Sequence, residues 1–307
     1  MTSYLTIVHV LSSLHAGTGQ GSGVIDLPIA REKATGLPYL PGSSLKGTLR
    51  TRCPEEKREP IFGSEDTAIG ASSAGTVQIS DQRLLLLPVR SLAGTFAWVT
   101  SPYVLRRLKR DLQDLGIEQG MLPEIPTIAA ENLQEARISD VEEQCRLVAV
   151  KDKGLLYLDE FDLIAHPDPY VTQWATWLGH LIFSDEIKHA EWRQALQGQF
   201  CIVHDDLFGF LLRTAIEVTA RIHLQEESKT VMNGGLWYEE SLPAETVLSG
   251  LMLTTPRPGK LSAEEIGQEL DQLVTRPLQL GGKSTTGRGL CRVSITDMKR
   301  GAGNANA

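Results

Sequence analysis

Two hydrophobic periodicities alternate along this chain, and together they confine it to a sheet covered by helices. Residues 3–11 (SYLTIVHVL) alternate and are rich in β-branched side chains, which is the pattern of a strand. Further extended stretches are read at 76–90 with Asp81 in the middle, at 95–100 (TFAWVT), at 208–224 (FGFLLRTAIEVTARIHL) and at 245–255 (ETVLSGLMLTT). Helical patterns lie between them. Over 102–116, Val104, Leu105, Leu108, Leu112 and Leu115 share one face, with Arg106, Arg107, Lys109 and Arg110 largely off it. Residues 170–198 repeat with helical spacing and place Trp174, Trp177 and Trp192 in a core. A helix to about Arg52 is capped by Ser43 or Ser44, and Ser262 caps another over 262–274. Residues 117–168 are mixed and acidic and read as an insertion. The triplet Asn233-Gly234-Gly235 is a turn signal, so 208–224 and 245–255 are read as a hairpin whose arm carries 225–243. The interleaving predicts an α+β fold with a mainly antiparallel sheet, ferredoxin-like topology being the candidate.

With 307 residues the chain is expected to be one elaborated domain or two intimate ones. No apolar run reaches the ~18 residues of a membrane span. The N-terminal MTSYLTIVHV has no basic flank and reads as a strand rather than a signal peptide. Cys53, Cys145, Cys201 and Cys291 lie far apart with no CxxC pair, which argues against a zinc site and a disulfide framework and points to a reduced, cytoplasmic protein. The net charge of −8 counts against a free-standing nucleic-acid binder. The charge is unevenly spread, however. Arg31, Lys33, Lys46, Arg50 and Arg52 face one acid, Glu32, between 28 and 52, and the segment 276–300 is similarly basic. Local patches of this kind can bind phosphate while the remaining surface stays acidic.

Two glycine-rich segments interrupt the regular pattern. The first, HAGTGQGSG (15–23), excludes regular structure and permits close backbone approach to a ligand. The second, GGKSTTGRG (281–289), offers backbone N–H groups and the cations Lys283 and Arg288 to a phosphate, or alternatively makes a tight structural turn. It is not a Walker A loop. That motif needs a glycine where this chain has Pro277, and a helix after the loop, where CRVSIT reads as a strand.

Taken together, DLPIAREKATGLPYLPGSSLKGTLR, DQRLLLLPVRSLAGTFAWVTSPYVL, LWYEESLPAET and GGKSTTGRG resemble the backbone subunits of type III-B CRISPR effector (Cmr) complexes, within the RAMP superfamily. The resemblance runs from about His15 to Gly289. It implies a single RAMP domain over 1–307, with an RNA-recognition-motif-like palm, a helical insertion at about 103–200 and a protruding thumb hairpin with its arm at about 225–243. It further implies copies stacked along a guide RNA, contacts with other subunits of the complex, and cutting of complementary target RNA at regular intervals with a divalent metal ion, Mg²⁺ in the first instance.

The resemblance puts Asp26 at the position essential for target cleavage, as a metal ligand or as the group that orients the 2′-OH. His15 is a candidate acid or base, or a packing residue. Tyr238, Glu239 and Glu240, on the thumb, are expected to complete the site. The two adjacent carboxylates of an extended arm point opposite ways, so only one of them faces the RNA. Trp237 either wedges against a displaced base or anchors the hairpin. RNA binding is assigned to Ser43, Lys46 and Arg50 on the capped helix and to Gly281, Gly282, Lys283, Gly287, Arg288 and Gly289 in the C-terminal loop. Arg106, Arg107, Lys109 and Arg110 are secondary candidates for contact with a neighbouring subunit.

Overall fold

The structure is a computed structural model that describes residues 2–297 apart from 20, 22, 65–73, 151–153, 186, 226, 228–229 and 257–260. In chain order the elements are β1 (Thr2–Val10), β2 (Tyr39–Leu40), α1 (Gly42–Arg52), α2 (Glu55–Phe62), β3 (Val77–Ile79), β4 (Gln82–Arg90), β5 (Phe96–Thr100) and α3 (Pro102–Asp114). Then come β6 (Glu135–Ile138), β7 (Val148–Val150), β8 (Leu155–Leu158), β9 (Phe161–Pro167), α4 (Pro169–Ile182), α5 (Ala190–Gln199), β10 (Phe200–Val203) and α6 (Asp205–Thr214). The chain ends with β11 (Glu217–Leu224), β12 (Val231–Ser241), β13 (Val247–Thr254), α7 (Ala263–Leu273), β14 (Leu278–Gln279) and β15 (Leu290–Asp297). Among the described residues no helix is long and apolar enough to cross a membrane.

Strand β1 is buried from Tyr4 onward, because both of its faces are covered. A side chain at Gly267 of α7 would meet the Tyr4 hydroxyl, whereas His9, of opposite parity, meets Phe183 at the end of α4 edge-on at 5.4 Å. Alternate residues of a strand point to opposite faces, so α7 and α4 sandwich the sheet. The sheet order is β14-β15-β1-β13-β4-β5-β10-β6-β9-β8-β7, with β2 added on β4 and β3 on β13. Among the described strands only the β5/β10 and β6/β9 pairs are parallel, so the expected mainly antiparallel α+β sheet is a large mixed one.

Four local readings are corrected. The extended reading of 208–224 fails over its first half: residues 205–214 are helix, with Leu207, Phe208, Leu211 and Leu212 buried on one face. Asp205 and Asp206 in the first turn suit the positive helix end, and the His204 ring accepts from the Asp206 N–H, a start signal masked by the β-like run FGFLL. Second, the hairpin pairs β11 with β12 in a separate two-stranded sheet, while β13 joins the main sheet between β1 and β4. Third, 76–90 is broken into β3 and β4 at Asp81, which accepts a hydrogen bond at 2.9 Å from the N–H of Gly42. Asp81 therefore serves α1 from the break between β3 and β4. Neither Ser43 nor Ser44 caps it, and the residue preceding the helix is Pro41. Last, the span 103–200 holds α3, α4 and α5 but also, among the described residues, the four strands β6 to β9, which extend the sheet, and the first residue of β10. Ser262 does cap α7, in a reciprocal capping box with Glu265.

Candidate functional site at the root of the hairpin

Four segments far apart in sequence meet where β12 leaves the main body. Leu14 and Leu242 exchange backbone hydrogen bonds at 2.8 and 2.9 Å, and the N–H groups of Gly282 and Gly289 donate to the carbonyls of His15 and Ser13, each at 2.9 Å. The segment after the first glycine loop lies along β12: Leu27 N donates to Tyr238 O and Glu240 N to Leu27 O, each at 3.0 Å. Asp26, exposed at the head of this segment, accepts the Tyr238 N–H through Oδ2 at 2.7 Å. Tyr238 beside it is 39% exposed. An open carboxylate is thus held at a fixed place against the hairpin, next to both glycine loops.

The neighbouring groups proposed from sequence are brought to this point, but most are committed within the fold. His15 is 6% exposed. Its Nδ1 lies 2.7 Å from the carbonyl of Glu240, which can only accept, so Nδ1 carries the proton. A side chain at Gly17 would come within 2.5 Å of His15 Nε2, so the ring lies close beneath the loop. Glu239 and Glu240 do point opposite ways. Glu240 accepts from Ile29 N at 3.0 Å and from Arg31 at 3.1 Å. Glu239, 2% exposed, accepts from Trp237 Nε1 at 2.7 Å and pairs with Lys283 at 2.8 Å and Arg221 at 3.4 Å. Neither carboxylate is left open, and the Trp237 indole bonds to Glu239 two residues on in the same strand.

The C-terminal glycine loop behaves in the same way. Gly281 and Gly289 have φ of +70° and +79°, and Gly282, Gly287, Arg288 and Gly289 all donate their N–H groups within the fold. Lys283 reaches Glu239, and Arg288 reaches Ser241 and, at 3.3 Å, Thr219. The loop's two cations thereby clasp the hairpin root. On α1, Ser43 is exposed and Lys46 half-exposed, while Arg50 turns to the carbonyl of Gly63. Thr48 donates to Gln279 O at 3.3 Å, so this helix runs beside the glycine loop. The secondary cations Arg106, Arg107, Lys109 and Arg110 are all ion-paired within the chain, to Asp205, Glu32, Glu124 and Asp111. Sequence reading gave no role to Arg31 or Arg221. The available signal for Arg31 was the alternation of Leu27, Ile29 and Arg31, which turns the same edge of an extended segment toward β12.

Burial pushes the Glu239 carboxyl up, but the hydrogen bonds from Lys283 and Trp237 and the charges of Lys283 and Arg221 outweigh it and hold its pKa at about 2, against an ordinary 4.5. A depressed carboxylate contributes stability above its unfolded pKa and loses it as pH falls toward the folded value. Hairpin docking should therefore weaken from about pH 4.5 down to about 2. Glu239→Gln is expected to cost about 2 kcal/mol at pH 7, below the ~3–5 of a fully buried pair because Lys283 and Arg221 can rehydrate. Urea titrations at pH 7 and pH 3 check this: the gap between wild type and variant should narrow at the lower pH without closing.

The sequence model of the RAMP superfamily matches residues 7–292. A curated relative from Pyrococcus furiosus, named CRISPR system Cmr endoribonuclease Cmr4, is 34% identical over 99% of both chains. Another from Saccharolobus solfataricus, named CRISPR system CMR subunit Cmr4, is 24% identical over 92% of this chain and 93% of its own. The solved structure of oligomeric Cmr4 from Pyrococcus furiosus superposes with a TM-score of 0.70 at 30% identity, covering 97% of this chain and 99% of that one. A chain of the type III-B Cmr-beta complex bound to cognate target RNA shares the fold, with a TM-score of 0.67 at 19% identity over 96% of this chain and 97% of its own. This chain therefore belongs to the RAMP superfamily and, within it, to the Cmr4 family.

Proposed function

We propose that this chain is the repeating, guide-RNA-binding backbone subunit of a type III-B CRISPR effector complex, and that it cuts complementary target RNA at regular intervals. The observation that carries the cutting is Asp26: an exposed carboxylate fixed at the root of the hairpin by the Tyr238 N–H. The curated relative at 34% identity is named an endoribonuclease, and the solved relative at 30% is an oligomer, which supports copies of this chain stacking on one another.

In this reading β15-β1-β13-β3, with α1 and α7, form a ferredoxin-like palm, their chain order being strand-helix-strand-strand-helix-strand. The insertion between them and the β11–β12 hairpin act as finger and thumb. Cross-strand partners Ile222 and Leu236 on the hairpin are 54% and 53% exposed, apolar surface suited to displaced bases or a neighbouring copy. Ser43 and Lys46 meet RNA phosphates through their hydroxyl and ammonium groups, the Gly42 N–H at the helix start being taken by Asp81. Recognition runs through the RNA backbone, sequence being delegated to guide–target pairing.

Among the described residues there is no group of three or more His, Cys, Asp or Glu able to hold a metal ion. Asp26 fits as one carboxylate ligand, with RNA phosphate oxygens and water supplying the others, which is the usual arrangement for Mg²⁺. A divalent ion bound there would neutralise charge developing on the cleaved phosphate. The chain itself contributes the fixed carboxylate and the clasped hairpin that holds it. Strand scission then forms a bond from a 2′-oxygen to the adjacent phosphorus as the bond from phosphorus to the 5′-oxygen breaks, the 2′-OH proton passing to water and the 5′-oxygen taking a proton from water, with Asp26 either holding the ion or orienting the 2′-OH.

The second reading is a non-catalytic RNA-binding scaffold of the same complex, favoured by the commitment of His15, Glu239 and Glu240 to the fold. The test is target-RNA cutting by the reconstituted complex, with Mg²⁺ and with excess chelator, using wild type and Asp26→Asn. Regularly spaced cuts that need both the ion and Asp26 are expected. Cutting unchanged by the substitution selects the scaffold.

A further inference from the structure

The reading of Asp26 as the cutting residue leaves open what holds it in place. Five contacts lace the segment 26–31 onto β12. Asp26 accepts from Tyr238 N at 2.7 Å. Leu27 makes two backbone bonds, to Tyr238 and Glu240, at 3.0 Å each. The last two contacts depend on one side chain: Glu240 takes the Ile29 N–H on Oε2 at 3.0 Å and the Arg31 guanidinium on Oε1 at 3.1 Å. Arg31 is in turn fixed from behind, donating to the carbonyls of Leu212 at the end of α6, at 3.3 Å, and of Gly36, at 3.2 Å. Arg31 thus ties three things together: the segment bearing Asp26, the root of the hairpin and the helix that leads into it.

Resting on that reading of Asp26, we propose that Arg31 and Glu240 are positioning residues for target cleavage, setting the height of Asp26 against the hairpin and so which phosphodiester it meets. Both oxygens of Glu240 are occupied within the chain, so it acts through Asp26 rather than on RNA. Its ion-pair partner is Arg31, and both side chains are largely buried, at 13% and 25% exposure. Without Arg31 the Glu240 carboxylate turns toward water and releases Ile29, and the segment keeps only the contacts nearest Asp26. The planar guanidinium matters because one fork serves Glu240 and Leu212 together, which a lysine ammonium on a flexible stem cannot reproduce.

The experiment is single-turnover cutting of a saturating target RNA by the reconstituted complex, with cuts mapped to the nucleotide. The chain is wild type, Arg31→Ala, Arg31→Lys, Glu240→Gln or Asp26→Asn. A displacement on the order of 1 Å can cost about a hundredfold in rate. Arg31→Ala should therefore lower the rate per assembled complex by about 10- to 100-fold, with target affinity unchanged and new minor cuts beside the main ones. Arg31→Lys and Glu240→Gln, each keeping half of the pair, should fall between this variant and wild type. A merely structural role would reduce the amount of complex but leave rate and cut positions of the assembled fraction alone. If Arg31→Ala does not assemble, the two milder variants decide. Wild-type rates and cut positions in the Arg31 and Glu240 variants, with Asp26→Asn inactive, overturn this proposal and leave the role of Asp26 standing. Wild-type cutting by Asp26→Asn overturns both.

Discussion

Asp26→Asn should lower target cutting by at least about a hundredfold, the low end of what a positioned acid–base group contributes, while leaving guide binding and filament assembly intact. The expectation of intact assembly comes from the contact that Asp26 makes. Its Oδ2 accepts the Tyr238 N–H, and an asparagine carbonyl accepts the same bond, so the lacing along β12 survives. What asparagine removes is the charge and the ability to take a proton. The two carboxylates of β12 beside it are already engaged, Glu239 with Lys283 and Arg221 and Glu240 with Arg31. The residual activity also separates the two roles of Asp26. If the carboxylate is a cation ligand, raising Mg²⁺ restores part of the loss, since phosphate oxygens still hold the ion weakly. If it acts on the 2′-OH, no Mg²⁺ concentration restores it. The measurement is single-turnover cutting against Mg²⁺ at matched complex concentration, and equal cutting by both proteins would move the active site to another subunit.

What the sequence made legible was local. The strand at 3–11, the amphipathic helix from Pro102 and the Ser262 cap each have their signal within a few residues, and the structure has all three. What it hid was pairing at a distance. Asp81 serves the start of α1 from 39 positions away, and nothing in GSSLKG announces that the serines stand aside. The same limit shaped the reading of the site. Lys283 and Arg288 stand in a glycine loop that looks made for phosphate, and only the fold brings Glu239 and Ser241 under them. Arg31 was visible as one of several cations in a basic stretch. Its importance arises because Glu240, 209 positions later, lies against it. A local β-like run can also mislead outright, as FGFLL did, because helical burial of Leu207, Phe208, Leu211 and Leu212 outweighs its intrinsic preference.

Gly289→Ala should destabilise the fold by about 3 kcal/mol or more, whereas Gly287→Ala, two residues earlier, should cost only about 1, the ordinary strain of a left-handed non-glycine residue. Both glycines adopt left-handed backbone, with φ of +79° and +78°. They differ in what surrounds them. A Cβ on Gly289 would sit 2.0 Å from the carbonyl oxygen of Leu280 and 2.9 Å from the Gln279 side chain, while a Cβ on Gly287 meets nothing within 4 Å. The obstacle at Gly289 is backbone, so the chain must give. The bonds at stake are Leu280 N to Gly289 O and Gly289 N to Ser13 O, each 2.9 Å, which close β14 on β15 and fasten the loop to the segment leading to His15. Losing one or both adds about 1 kcal/mol apiece to the strain. Urea unfolding of the two variants reads the difference directly, and equal costs would show that close approach is not what selects glycine at 289. The contrast also sorts the loop by purpose. Gly289 is required by the packing of the chain against itself, so RNA affinity lost in its alanine variant reports damage to the fold. Gly287 faces open space at the tip, and affinity lost there with stability nearly unchanged reports a contact with RNA.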